Sequence, residues 1–337
     1  LQNFGGSVVK KLINTPDTLL TESLDGFAAA HADIVVLGAD RRFVRRRELK
    51  QGKVGLVSGG GSGHEPLHAG FVGVGMLDAA CPGQVFTAPT PDQMLAAAEA
   101  VDTGAGVLFI VKNYEGDVMN FDMAREMTER RIETVLVDDD VAVEKSTYST
   151  GRRGVAGTLV VEKILGAAAE QGADLEALKA LGERVVGATR SMGVALTSCT
   201  VPAAGKPTFS LAEDEMEFGV GIHGEPGRRR GKLLALDDLA DGMVSALLGD
   251  FSPAAGGEML LLVNGFGATP LMELYAMFHA ARLRIEAGGR RVARALVGNY
   301  VTSLDMAGCS LTVTALDTEL SALWDAPVHT AGLRARS

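Results

Sequence analysis

Three short strings in this sequence combine imidazoles, carboxylates and glycines, and each directly follows an apolar run. The first is Gly59-Gly60-Gly61-Ser62-Gly63-His64-Glu65-Pro66, after residues 54–57. The second is Lys112-Asn113-Tyr114-Glu115-Gly116-Asp117, after residues 106–111. The third is Gly219-Val220-Gly221-Ile222-His223-Gly224-Glu225-Pro226. An imidazole changes charge near neutral pH and can attack a carbon or carry a proton. A carboxylate such as Asp117 can act as a general base, or it can simply cap the helix that follows it. Glycines allow a backbone to approach a ligand with no Cβ in the way. The first string reads as a strand, a glycine loop and a helix start, with Pro66 in the first helical turn. It is a cradle for a small molecule or a structural turn with a satisfied histidine.

Two better-known chemistries are excluded at that first string. A phosphate-binding P-loop requires Lys-Ser/Thr after its last glycine, and His64-Glu65 stand there instead. His64-Glu65-Pro66-Leu67-His68 spells the zinc-protease pattern, but that pattern works only with both histidines one turn apart inside a helix, and Pro66 puts His64 at or before the helix start. No metal site is expected. Cys81, Cys199 and Cys309 are few and far apart, which argues against a disulfide framework or a structural zinc and for ordinary buried thiols.

The elements that must hold these strings follow from hydrophobic periodicity. A helix is expected over 16–31, a strand over 54–57, a strand over 107–111 followed by a helix over 118–131, a strand over 134–137, and helices over 155–169 and 174–189. Past residue 190 the pattern changes. Strands are expected over 194–200 and 217–222, a helix over 236–248, a strand over 259–263, a helix over 270–287, and strands over 292–297 and 311–314. This is an α/β fold of two α/β domains on mostly parallel to mixed sheets, 9–190 and 191–330. In such sheets ligands bind beyond the carboxyl ends of strands, where all three strings would lie.

The 337 residues carry a net charge of −10, which disfavours nucleic acid as a partner, and 47% hydrophobic residues, ample for packed cores. No apolar run approaches the length of a membrane span, and no secretion signal is evident, so the cytoplasm is expected. The basic clusters at 41–47 and 228–230 could each meet an acidic protein surface or a phosphorylated ligand, but such charge runs usually read as solvated faces.

Together with Lys10-Lys11-Leu12-Ile13-Asn14, Val137-Asp138-Asp139-Asp140-Val141-Ala142-Val143, Gly151-Arg152-Arg153-Gly154, Thr200-Val201-Pro202-Ala203-Ala204-Gly205-Lys206-Pro207 and Leu323-Trp324-Asp325-Ala326-Pro327-Val328-His329, the three strings give a chain that resembles the K subunits of dihydroxyacetone kinases over nearly its whole length. The resemblance implies a homodimer that binds a triose. It implies that His223 attacks the ketone carbon and holds dihydroxyacetone as a covalent hemiaminal. Gly61, Ser62, Gly63, His64, Lys112 and Asp117 would line the substrate, with His64 and Asp117 handling protons of the hydroxyl being phosphorylated. It further implies no cofactor on this chain. ADP or ATP with Mg²⁺ is expected on a separate L subunit, recharged by an M subunit of the phosphotransferase system or using ATP directly. Kinases of four-carbon ketoses such as erythrulose, and non-catalytic dihydroxyacetone sensors or coactivators, would share the same cradle.

Overall fold

A computed structural model describes residues 10–142, 149, 151–225, 227–252 and 257–335. Residues 1–8, Val143 and Pro226, on which the sequence reading drew, lie outside them. In chain order the elements are α1 (Leu19–Ala30), β1 (Val35–Leu37), β2 (Val44–Arg46), β3 (Gly55–Ser62), β4 (Gly73–Val74), β5 (Ala79–Val85), α2 (Pro91–Val101), β6 (Val107–Lys112), α3 (Glu115–Glu126), β7 (Ile132–Val137), α4 (Gly157–Glu170) and α5 (Leu175–Gly187). There follow β8 (Thr189–Ala195), β9 (Glu215–Phe218), β10 (Arg229–Lys232), α6 (Leu236–Gly249), β11 (Glu258–Gly265), α7 (Leu271–Ala287), β12 (Arg291–Gly298), β13 (Gly308–Leu316), α8 (Thr318–Asp325), β14 (Val328–Thr330) and β15 (Arg334–Ala335).

Two six-stranded sheets carry the fold. The first runs β1-β2-β5-β3-β6-β7, with β5, β3, β6 and β7 parallel and β1 and β2 antiparallel at one edge. The second runs β10-β9-β8-β13-β11-β12 and is parallel only between β11 and β12. The chain then returns to the first half, where β14 pairs with β4 in a small third sheet. Helix α4 lies at the centre. Every one of its residues from Gly157 to Ala169 is buried, and its apolar side chains share one core with Leu56 and Leu108 of the first sheet and Leu260 and Leu316 of the second. A helix with apolar residues on every face can be stable only when covered on all sides, and here even Glu162 and Lys163 are buried.

Local chemistry accounts for where several elements begin. Thr90 and Gln93 form a reciprocal capping box at α2 with Pro91 in its first turn, and the carboxylates of Asp174 and Asp317 accept the N–H of Ala177 and Leu320 to open α5 and α8.

The structure moves several expected boundaries. No α-helix starts at Pro66: residues 65–68 form turns, and only a short 3₁₀ turn, Ala69–Phe71, follows. The glycines are not a loop, because β3 continues through Gly59, Gly60, Gly61 and Ser62, paired with Cys81 to Val85 of β5. Strand β8 begins at Thr189 rather than 194, since its polar residues face hydroxyls across the sheet. Thr189 Oγ1 lies 3.0 Å from Thr314 Oγ1, and Ser191 Oγ lies 2.7 Å from Thr312 Oγ1. Strand β9 stops at Phe218 because Gly219 turns the chain with φ +69°. Elements β1, β2, β4, β5, α2, β10, α8, β14 and β15 had no counterpart in the sequence reading.

The first basic cluster is not wholly a solvated face. Arg46 lies on β2 and is buried with Lys53 and Asp78, and the partly buried Glu170 stands beside it. Asp78 accepts from Arg46 at 3.2 Å, from Lys53 and from the N–H of Leu56 at 2.8 Å, while Glu170 accepts from Arg46 at 2.5 Å. Removing one charge from such a buried set leaves its partners uncompensated. Asp78→Asn is expected to cost about 3–5 kcal/mol, seen as a lower urea midpoint with an unchanged slope.

Candidate active site between the two sheets

The three strings meet where β3, β6 and β9 end. Lys112 is the last residue of β6 and is fully buried. Its ammonium spends its three protons inside the protein: 3.3 Å to the carbonyl of Gly59, 3.2 Å to Nε2 of His68 and 3.2 Å to Oδ2 of Asp117. Gly60 permits this, because a Cβ there would collide with Lys112 Nζ. Asp117 is not the cap of α3. The N-cap is Tyr114, and Asp117 sits within the first turn, where the helix N-terminus favours a carboxylate. Burial raises its pKa above the ordinary carboxylate value, and Lys112 works against that rise.

His64 follows directly on the glycine strand. Its Nδ1 donates to the carbonyl of Thr302 at 2.8 Å, from the connection between β12 and β13. A carbonyl can only accept, so the neutral ring carries its lone pair on Nε2, which is buried without a partner. Burial, His223 and Lys112 all depress its pKa well below that of a free imidazole. Phe86 stacks on one face of the ring at 5.1 Å between centroids. His68 lies apart from it, accepting from Lys112 and donating from Nδ1 to Glu162 at 2.6 Å, so the two histidines of the zinc-protease pattern are committed to different partners. Among the described residues no group of three or more His, Cys, Asp or Glu converges as a metal site. The three cysteines are buried and unpaired.

His223 enters from the second sheet. Its ring stands nearly perpendicular to those of His64 (4.6 Å between centroids), Tyr114 (4.5 Å) and Phe86 (5.3 Å). Its position depends on a side chain to which the sequence argument gave no role, Arg153. This buried guanidinium donates to Asp140 at 2.8 Å, to the carbonyl of Gly219 at 2.6 Å and to Glu225 at 3.4 Å, and Glu225 accepts the backbone N–H of His223 at 2.8 Å. Burial, with the cations of Lys112 and Arg153, brings the pKa of His223 down to about 3. Its ring nitrogens have no hydrogen-bond partner among the described residues.

Gly61, Phe86, Tyr114, Asp117, His223 and Glu225 line a cavity of about 550 Å³. Around it cluster three buried polar atoms without partners among the described residues: His64 Nε2, Tyr114 Oη and Asp117 Oδ1. Buried polar groups are normally satisfied, so such a cluster marks where a polar ligand belongs. Ser62 is turned away, its hydroxyl donating to the carbonyl of Gly83 at 2.7 Å, and the N–H of Gly63 donates to Glu65. Of the residues expected at the site, Gly61, Asp117 and His223 face the cavity, His64 touches the His223 ring, and Lys112 stands behind Asp117. Sequence reasoning did not pick out Phe86, Tyr114, His68, Glu162, Thr302 or Arg153 as site residues. Tyr114 and Arg153 lay within the quoted strings and His68 next to one, but the types and spacings of the others carried no signal.

A profile described as the Dak1 domain matches residues 25–332. The chain belongs to the Dak1 domain family. Within it, the chain is 51% identical over 314 residues to the dihydroxyacetone-binding subunit DhaK of PTS-dependent dihydroxyacetone kinase 1 of Listeria innocua, covering 92% of this chain and 95% of that one. It is 47% identical to the dihydroxyacetone-binding subunit DhaK of the PEP-dependent dihydroxyacetone kinase of Escherichia coli, covering 96% and 99%. Among solved structures it is similar to the dihydroxyacetone kinase operon co-activator DhaQ, with a TM-score of 0.87, 34% identity and coverage of 92% and 97%. The Dak1 fold thus serves both kinase subunits and a regulator. The side chains must decide between them.

The imidazole at 223 has a folded pKa below its unfolded value of about 6.5. The unfolded chain therefore binds the extra proton first, and the stability contributed by the neutral ring is lost as pH falls from about 6.5 through about 3. NMR of ring-labelled histidine is expected to show no protonation of His223 between pH 8 and 5.

Proposed function

We propose that this chain is the dihydroxyacetone-binding subunit of a dihydroxyacetone kinase, holding the ketose on His223 while a partner phosphorylates its hydroxyl. The observation that carries this reading is the neutral, unengaged ring of His223 in the cavity wall beside the unpartnered His64 Nε2 and Asp117 Oδ1. A neutral imidazole can add to a ketone carbon, giving a tetrahedral hemiaminal with the former carbonyl oxygen as hydroxyl. A covalent tether fixes a small substrate that offers little contact surface. It also selects: glycerol has no carbonyl to attack.

In this reading Asp117 takes the proton of the hydroxyl that attacks phosphorus, and His64 Nε2 holds a hydroxyl of the bound triose. Gly61 and Gly63 keep the backbone close, with Ser62 packed beneath it. Lys112 acts from behind through Asp117. The phosphoryl group comes from a separate L subunit bearing ADP or ATP with Mg²⁺, and in a system of the kind named for the Listeria and Escherichia relatives an M subunit recharges it. The chain works as a cytoplasmic homodimer. Among its described residues no helix is long and apolar enough to cross a membrane.

The likeness to an operon co-activator favours a second reading, in which the chain binds the triose without phosphorylating it. The two differ in outcome when the purified chain is mixed with a charged L subunit and dihydroxyacetone, erythrulose or glyceraldehyde. Transfer to dihydroxyacetone is expected, and none from ATP with this chain alone. No transfer at all would leave the sensor, and a preference for erythrulose would make the chain a kinase subunit for four-carbon ketoses.

Three substitutions separate the roles. In crystals soaked with dihydroxyacetone, His223→Ala is expected to abolish continuous density between ring and ligand, whereas His64→Asn retains it and loses rate. Asp117→Asn keeps the adduct and lowers turnover by about 10²–10⁴-fold, the usual contribution of a positioned base. A planar carbonyl carbon at van der Waals distance from His223 would refute covalent capture.

A further inference from the structure

Behind Asp117 lies a file of buried titratable groups that binding a triose does not require. From Asp117 Oδ2 it is 3.2 Å to Lys112 Nζ, then 3.2 Å to His68 Nε2, and from His68 Nδ1 it is 2.6 Å to Glu162 Oε1. Every contact joins a donor to an acceptor. Ser58 fixes the direction: its hydroxyl donates to the carbonyl of Ile110 at 2.7 Å, so at 3.0 Å from His68 Nδ1 it can only accept. His68 therefore carries its proton on Nδ1 and offers a lone pair to Lys112. Glu162, at the far end on α4, is fully buried and its Oε2 has no partner.

We propose that Lys112, His68 and Glu162 form a proton relay that draws the substrate hydroxyl's proton away from Asp117, with Glu162 as its temporary store. The inference rests on the kinase reading above. As the substrate oxygen bonds to phosphorus and the donor's P–O bond breaks, the hydroxyl proton passes to Asp117. Asp117 then gives a proton to Lys112 as Lys112 passes one of its own to His68 Nε2 and His68 passes its Nδ1 proton to Glu162 Oε1. No electrons are exchanged. Asp117 is again a carboxylate, Lys112 again an ammonium, and the proton is beyond reach of the new ester oxygen. When product leaves and water returns to the cavity, the same transfers run backwards and restore the tautomer of His68. Glu162 is suited to the part because burial raises its pKa well above that of an exposed carboxyl, against the opposing pull of Lys112.

Shape and proton affinity can be varied separately at this position. Glu162→Gln keeps the shape and cannot take the proton, whereas Glu162→Asp keeps the carboxylate and alters the shape. With the full chain, a charged phosphoryl-donor subunit and dihydroxyacetone, Glu162→Gln is expected to lower kcat at least 10-fold, with KM and the His223 adduct unchanged. Glu162→Asp should retain more of kcat than Glu162→Gln. If Glu162→Gln is as active as Glu162→Asp or more so, Glu162 only supports His68 and the relay is wrong. Infrared difference spectra of a single turnover by the wild-type chain do not depend on either variant folding. A transient protonated-carboxyl band that shifts with label in glutamate supports the relay, and its absence overturns it. A wild-type chain that forms no adduct would instead overturn the kinase reading itself.

Discussion

An ammonium group with no access to water is the constraint on which this structure turns. Burying a charge costs several kcal/mol unless nearby acceptors replace the lost hydration, and Lys112 Nζ is buried beneath the glycine strand with three acceptors around it. Each acceptor makes a demand on a different part of the chain. The carbonyl of Gly59 requires β3 to run beside β6, and Gly60 must lack a side chain. His68 must present a lone pair, which requires Glu162 and therefore the central helix α4. Asp117 must stand in the first turn of α3. The site is thus built outward from one cation, and the core helix belongs to it as much as the loops do.

A second buried cation has a parallel task in the other sheet. Arg153 ties Asp140, Gly219 and Glu225 together, and through Glu225 it sets the backbone of His223. Gly221 cannot bear a side chain, because its Cβ would strike Glu225. Lys112 and Arg153 also act at a distance. Both disfavour a proton on His223, and Lys112 does the same for His64 and His68. The arrangement keeps imidazoles neutral in an interior that already penalises charge. That is what a nucleophilic ring needs, and it suits an uncharged ketose.

Proton handling follows from the same economy of partners. Lys112 has no donor left over, so in this structure it reaches a ligand only through Asp117. His64 is held by one nitrogen and leaves the other unengaged. The cavity is therefore bounded by groups with capacity to spare, while the groups behind them have almost none. Glu162 at the inner end breaks that rule, with one oxygen unmatched among the described residues.

The sequence by itself determined the α/β class, most helices, the strand that leads into the glycine string, and the three strings that converge at the site. Those are local signals: apolar period, glycine clusters, and polar side chains at strand ends. It misread the glycine string as a loop before a helix, because the types Gly59 to Ser62 say nothing of the parallel partner that makes them a strand. It left Asp117 open between cap and base, and only the helix start at Glu115 decided that it caps nothing. It read the basic cluster at 41–47 as a surface, whereas the carboxylates that bury Arg46 lie 32 and 124 residues away. Phe86, Glu162 and Thr302 were invisible for the same reason. Their roles are set by what they meet across the fold, and contacts between residues hundreds of positions apart leave no mark on local composition or spacing.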